Sequence, residues 1–304
     1  MSTAQLPPDG MNLLEPDITT EEEIAQFRRF YAYAKKEQNK SYEFWLEFRP
    51  DVLKRHKLRT TTRTEGPAYP IPALAALHQY VITAFSDGVG YEIELARTMG
   101  ARRGDVLDTI SVAFIHSGHP GMYETTKHAD ALRGYAGIAD VECFPPNWSF
   151  DPGAFDSGMD YSVKEASRED LKRLMDWYER VLGEVPKHAQ FLADNRPSLL
   201  KAYRNRYEHA IRESLPAQML PFLMLHYNAV RGFKDGVREN ALLGKALGMT
   251  RPQVLNAICL AELHGGAEVF DIVTEAAGDV LAQLPDLDLP KDAERRAYGY
   301  VRNY

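Results

Sequence analysis

LHQYVITAFSDGVGYEIELARTMGARRGDVLDTISVAFIHSG, Leu77–Gly118, decides the fold, because the chain contains it twice. Shifted by 148 residues it falls on LHYNAVRGFKDGVRENALLGKALGMTRPQVLNAICLAELHGG, Leu225–Gly266, and 15 of the 42 positions are identical. Chance would give about three, so the two stretches are copies of one unit. The shared residues include His78/His226, Phe85/Phe233, Asp87/Asp235, Gly88/Gly236, Gly100/Gly248, His116/His264 and Gly118/Gly266.

The copy extends upstream with a shift of 147. FWLEFRPDVLK from Phe44 matches FLADNRPSLLK from Phe191, and EEIAQFRRFY from Glu22 parallels EDLKRLMDWY from Glu169. The division is therefore an N-terminal tail (1–16), a first unit (17–140), a linker (141–162), a second unit (163–285) and a C-terminal tail (286–304). CFPPNWSFDPGAFDSGMD, rich in Pro, Gly and Asp, reads as a long loop, and the two tails read as irregular segments that wrap a neighbour.

Each unit reads as helical. Apolar residues recur at three- and four-residue steps from Glu22 and from Glu169, and nothing alternates at period two. Asp87 and Asp235 suit helix N-caps, and Gly100 and Gly248 suit the residue after a helix end. Further helices are expected over Arg103–Ser117 and Thr250–His264, the second opened by Thr250 and Pro252. The fold class is all-α, with two tandem units forming a pseudo-twofold bundle.

Composition narrows the function. The 304 residues are 44% hydrophobic with a formal charge of −7, an ordinary globular balance. Without a dense basic patch, nucleic acid is not an expected partner. No apolar run reaches the roughly 20 residues of a membrane span, and the first residues do not form a signal peptide, so a cytoplasmic location is expected. Two cysteines, Cys143 and Cys259, make neither a disulfide framework nor a CxxC pair.

The order of pieces resembles the carboxymuconolactone decarboxylase and alkylhydroperoxidase AhpD-like superfamily over Pro72–Ala129 and Pro221–Ala277. The match is an apolar helix, a short break, a helix ending in Gly, then an apolar helix closing on a small-Gly-x-Pro turn. The resemblance implies a small-molecule enzyme that assembles as a homo-oligomer and needs no cofactor. The peroxidase branch carries CxxCxxxH where this chain reads Phe85, Gly88 and Glu92, and again Phe233, Gly236 and Asn240. Peroxide reduction needs a thiolate, so thiol peroxidase activity is not expected. The decarboxylase branch has a histidine where Glu92 and Asn240 stand, and in that family the position faces the pocket.

The candidate catalytic residues are accordingly Glu92, His116 and His264. His116 lies about 60° from Ala113, at the edge of its helix's apolar stripe, where an imidazole can move protons. His78, His119 and His226 are the candidate substrate-binding residues. A histidine in a last helical turn is also favoured by the helix dipole alone, by about 0.3–1 kcal/mol. His116, His119 and His128 do not have the spacing of a zinc site, so no metal is expected. The expected reaction is proton-transfer lyase chemistry (decarboxylation, hydration or isomerisation) on a small organic acid, lactone or aromatic-derived metabolite. Glu92 and His116 would share the proton. The alternatives are a non-catalytic binding or assembly protein that has lost the peroxidase cysteines, and a redox protein using Cys259.

Overall fold

The computed structural model describes residues 10–15, 17–35, 40–61, 70–136 and 143–286, and most of both expected tails lies outside them. Among the described residues the protein is built from helices, without strands. The first unit supplies α1 (Glu21–Lys35), α2 (Lys40–Phe48), α3 (Pro50–Thr61), α4 (Ile71–Ile82), α5 (Ser86–Thr98), α6 (Arg103–Thr126) and the short α7 (Ala129–Arg133). The second supplies α8 (Arg168–Leu182), α9 (Lys187–Asn195), α10 (Pro197–Glu208), α11 (Met219–Val230), α12 (Lys234–Ala246), α13 (Arg251–Gly265) and α14 (Glu268–Leu281).

The helix ends carry the repeat more strictly than the residues do. Both ends of α1, α2 and α3 recur 147 positions later in α8, α9 and α10, and both ends of α4 and α5 recur 148 later in α11 and α12. Where α13 stops at Gly266 (φ 72°, ψ −171°), α6 breaks at Gly118 (φ 60°, ψ −161°) and resumes near Pro120. The helix expected to end at Ser117 therefore bends at Gly118 and continues, its far arm standing where α14 stands in the second unit.

Side-chain devices recur too. In the first unit Thr20 and Glu23 exchange hydrogen bonds across the start of α1 (2.7 and 3.2 Å), and in the second Ser167 and Asp170 do the same at α8 (both 3.0 Å). Each acidic partner is gripped by a buried lysine from the third helix of its unit: Lys54 on Glu23 and Lys201 on Asp170, both at 2.9 Å. Each lysine also donates to a backbone carbonyl just upstream, of Ile18 and of Glu165. One helical turn further on, Lys57 sits over Phe27, Phe30 and Tyr31, while Arg204 sits over Trp177, Tyr178 and Tyr207. A cation over aromatic faces fills this place in both copies.

The expected caps at Asp87 and Asp235 are corrected. The N-caps are Phe85 and Phe233, and the two aspartates sit inside the first turn. The cause is the turn before. Phe85 N–H bonds back to the Tyr80 carbonyl and Phe233 N–H to the Asn228 carbonyl, both at 2.9 Å, after a residue of positive φ, Ala84 (56°) or Gly232 (67°). That six-to-one closure ends one helix and leaves the next no room to start later. Gly100 and Gly248 do end their helices as expected, with Ala101 and Met249 making the same closure onto Ala96 and Gly244.

One continuous core joins α4–α6 to the second unit and to the linker, whose Trp148, Phe155 and Met159 are buried in it. Met11, Leu13, Phe27, Phe30, Tyr31, Leu46 and Leu53 form a separate small cluster around α1–α3. The units are fastened by Asp108 of α6. Its carboxylate accepts from four consecutive backbone N–H groups, those of Arg212, Glu213, Ser214 and Leu215, at 2.9–3.1 Å. The Ser214 hydroxyl adds a bond to Asp105 at 2.6 Å. The third-helix arginines also cross over. Arg59 of α3 pairs with Glu262 of α13 (2.7 Å), and Arg206 of α10 donates to the Ile115 carbonyl of α6 (2.7 Å).

Two stability measurements check this reading. Asp108→Asn, which turns an amide donor toward backbone donors, is expected to lower the unfolding free energy by about 3 kcal/mol in urea titrations. Ala84→Gly is expected to raise it by about 0.5 kcal/mol, because a left-handed alanine costs more than the extra freedom of an unfolded glycine.

Candidate functional site

Helices α4 and α11 are apolar on nearly every side, so both are buried along most of their length, and each carries its histidine inward. His78 and His226 are 0% and 1% exposed. Around them two ring clusters form, each drawing on both units. In the first, the Tyr227 ring of α11 lies 5.6 Å from His116 and 6.1 Å from His78. In the second, His264 lies 5.4 Å from His226 and 5.6 Å from Tyr80 of α4. Four of the six candidate residues are thus gathered into two neighbouring clusters, which meet where His78 and His226 influence each other.

These interior imidazoles are neutral. Burial holds His78 well below the usual histidine range, with His226 and His116 adding to it. Burial and then His264 hold His226 down to about 3, against a hydrogen bond to the Leu260 backbone. Neither ring nitrogen of His78, nor Nδ1 of His226, nor Oε1 of the adjacent Gln79 has a hydrogen-bond partner among the described residues. A buried polar atom left so costs about 1–3 kcal/mol.

His116 differs in being exposed. Crowding by the protein, then the charges of Arg206, His188 and Arg231, push its pKa down, to about 4. Water reaches the ring and tempers each of these effects, so the firm result is the direction: at neutral pH this imidazole is an unprotonated base. Arg231 donates to the Tyr227 hydroxyl at 3.2 Å, and Arg206 holds the carbonyl one residue before His116. Neither arginine forms an ion pair with a carboxylate among the described residues.

Among the described residues no interaction joins Glu92 to His116. Glu92 is buried (6% exposed), and its charge adds to burial in raising the pKa of Tyr80, and to burial and Tyr31 in raising that of Tyr42. That places it on the side of the Tyr80–His264 cluster. The interactions of His116 run to Tyr227, His78, Arg206, His188 and Arg231. Asn240, its counterpart, spends its amide on the Gly236 carbonyl of its own helix (2.8 Å). His119 is exposed beyond the Gly118 bend. Among the described residues no three His, Cys, Asp or Glu side chains are placed to hold a metal ion.

Sequence reasoning missed Tyr227, Arg206, Arg231, His188 and Glu239. His188 Nδ1 lies 3.7 Å from Glu239, whose carboxyl burial pushes up to about 7 against the pull of Arg204. The copies differ at three of these places: Gln79 stands opposite Tyr227, Thr83 opposite Arg231 and Tyr91 opposite Glu239. Such differences are the available signal, because a repeat search keeps only what agrees. Cys143 is buried, donates to the Gly100 carbonyl at 2.8 Å and has its pKa raised to about 11 by burial, the reverse of an activated thiol.

No protein-family model matches the chain, and no curated protein or solved structure shows significant similarity to it. No helix among the described residues is long and apolar enough to cross a membrane.

The buried histidines make the fold acid-sensitive. An unfolded histidine takes up its proton near 6.5, whereas folded His226 resists down to about 3. Between those values the unfolded state binds more protons, so stability falls as pH falls from 6.5. Each such histidine contributes a slope of at most about 1.4 kcal/mol per pH unit. In urea titrations between pH 6.5 and 4, His226→Gln is expected to lose stability less steeply than the parent protein.

Proposed function

We propose that the protein is an enzyme of the carboxymuconolactone decarboxylase-like kind, performing proton-transfer lyase chemistry on a small organic acid, lactone or aromatic-derived metabolite. The observation that carries this is His116: an unprotonated imidazole at the solvent edge, against Tyr227, with two arginines that no carboxylate among the described residues neutralises. His116 takes the proton. Arg231 and the Tyr227 hydroxyl stabilise the negative charge that develops on the substrate oxygen. A base whose pKa is held down by neighbouring cations is weak until an anion lies beside it. Binding a negatively charged substrate offsets those cations and raises the imidazole toward the pKa at which general bases work best. His78, fully buried beside Tyr227 and with no ring-nitrogen partner among the described residues, orients the substrate through that ring.

The reciprocal crossing of Arg59 and Arg206 supports a twofold relation between the units, with a matching site around His264, His226 and Tyr80. Glu92 acts there, through Tyr80.

The test is a turnover screen against small organic acids and lactones, followed by variants. His116→Ala is expected to lower kcat by about a hundredfold or more, with melting unchanged. Glu92→Gln is expected to cost about tenfold or less, and a Cys143→Ser/Cys259→Ser double variant to keep its activity. Full turnover by His116→Ala would return that histidine to the role of a helix-end residue.

A further inference from the structure

The two copies of the site differ in charge at the same three places. Beside His116 stand Arg206 and Arg231, one bonded to a backbone carbonyl and the other to a phenol. Beside His264 the first arginine's counterpart, Arg59, is neutralised by Glu262, whose own counterpart in the first unit is Phe114. The second arginine's counterpart is Thr83. Glu92 adds a carboxylate on this second side, where it acts on Tyr80, and Asn240 stands in its place in the other copy.

We propose that the duplicated site has divided: the His116 side binds small carboxylates through Arg206, Arg231 and the Tyr227 hydroxyl, and the His264 side does not bind them. The inference rests on the reading that His116 faces a ligand. Every group that acts on His116 is cationic or neutral: Arg206 from α10, Arg231 from the end of α11, His188 from α9 and His78 from α4. Two acids act on His188 in turn: Glu239 of α12, 3.7 Å from its Nδ1, and Asp235, and neither is among the groups that act on His116. A carboxylate there meets guanidinium groups, whose bonds to an anion are about twice as strong as neutral hydrogen bonds. On the His264 side the same ligand meets the Arg59–Glu262 ion pair already formed and the Glu92 carboxylate, which repels it. The guanidinium of Arg206 gives up only one donor to Ile115, which leaves the remainder of its fork for a ligand.

The probes are acetate, benzoate and benzamide, the last matching benzoate in shape but lacking its charge. Binding to the full chain is read by calorimetry and by the ring resonances of His116 and His264. Benzoate is expected to shift His116, to raise its pKa and to leave His264 in place, with benzamide at least about tenfold weaker. Arg231→Gln and Arg206→Gln should each weaken benzoate about tenfold or more, while Arg59→Gln stays within about twofold. Because Arg206 also holds a helix end, Arg206→Lys serves beside it: it keeps the charge and should keep most of the binding. Equal binding of benzoate and benzamide, a loss in Arg59→Gln as large as in Arg231→Gln, a response at His264 rather than His116, or no binding of acetate or benzoate by about 50 mM would each overturn the proposal. The readout needs no turnover. A protein that binds benzoate as described yet catalyses nothing keeps the divided site and loses only the enzymatic reading.

Discussion

Two helices, α4 and α11, have almost no polar surface, and that constraint organises the molecule. A helix that is apolar all round must be covered on all sides. Within its own unit each is covered by the next two helices, and the remaining side is closed by the other unit. The contact between the units is therefore a consequence of sequence composition rather than a later docking of finished halves. It also explains why histidines occur so deep. His78 and His226 lie on the helices with no exposed side, so their rings have nowhere to go but inward.

The polar devices at the periphery keep that arrangement in register. The buried lysines of α3 and α10 each tie the start of a first helix to a third helix, which fixes the entry of the chain into each unit. Asp108 works across units, collecting four backbone donors that would otherwise be unsatisfied in a turn. Such a carboxylate is stronger than a surface ion pair because its partners are fixed backbone groups and do not need to be ordered side chain by side chain.

Much of this was legible in the sequence. The repeat placed the helices, because a shift that preserves Gly100/Gly248 and Gly118/Gly266 preserves the turns those glycines make. Gly100 and Gly248 needed no structure to be read as helix ends. The caps at Phe85 and Phe233 were not legible: phenylalanine has no capping side chain, and the start of the helix is set by the turn that ends the one before. The surroundings of Glu92 were not readable, since its effect on Tyr80 joins α5 to a side chain of α4 and depends on how the helices pack. Arg206 and Arg231 were overlooked for a different reason. Each acts on a residue of the other unit, about 90 to 115 positions away, and no local pattern marks such a contact. Tyr227 was hidden by the comparison itself, because its counterpart is Gln79.

Thr83 and Arg231 occupy one place in the repeated unit and carry different chemistry. In an assembly of two identical chains a single substitution is imposed on both halves at once, so a gain on one side cannot be separated from its cost on the other. Covalent joining through the linker of Trp148 and Phe155 removes that tie. Each half can then accept changes that would be harmful if doubled, such as a second arginine beside a histidine or a carboxylate buried under a tyrosine. The fused chain thus holds a repeated scaffold, kept by shared glycines and lysines, in which the repeat no longer limits what chemistry either half can carry.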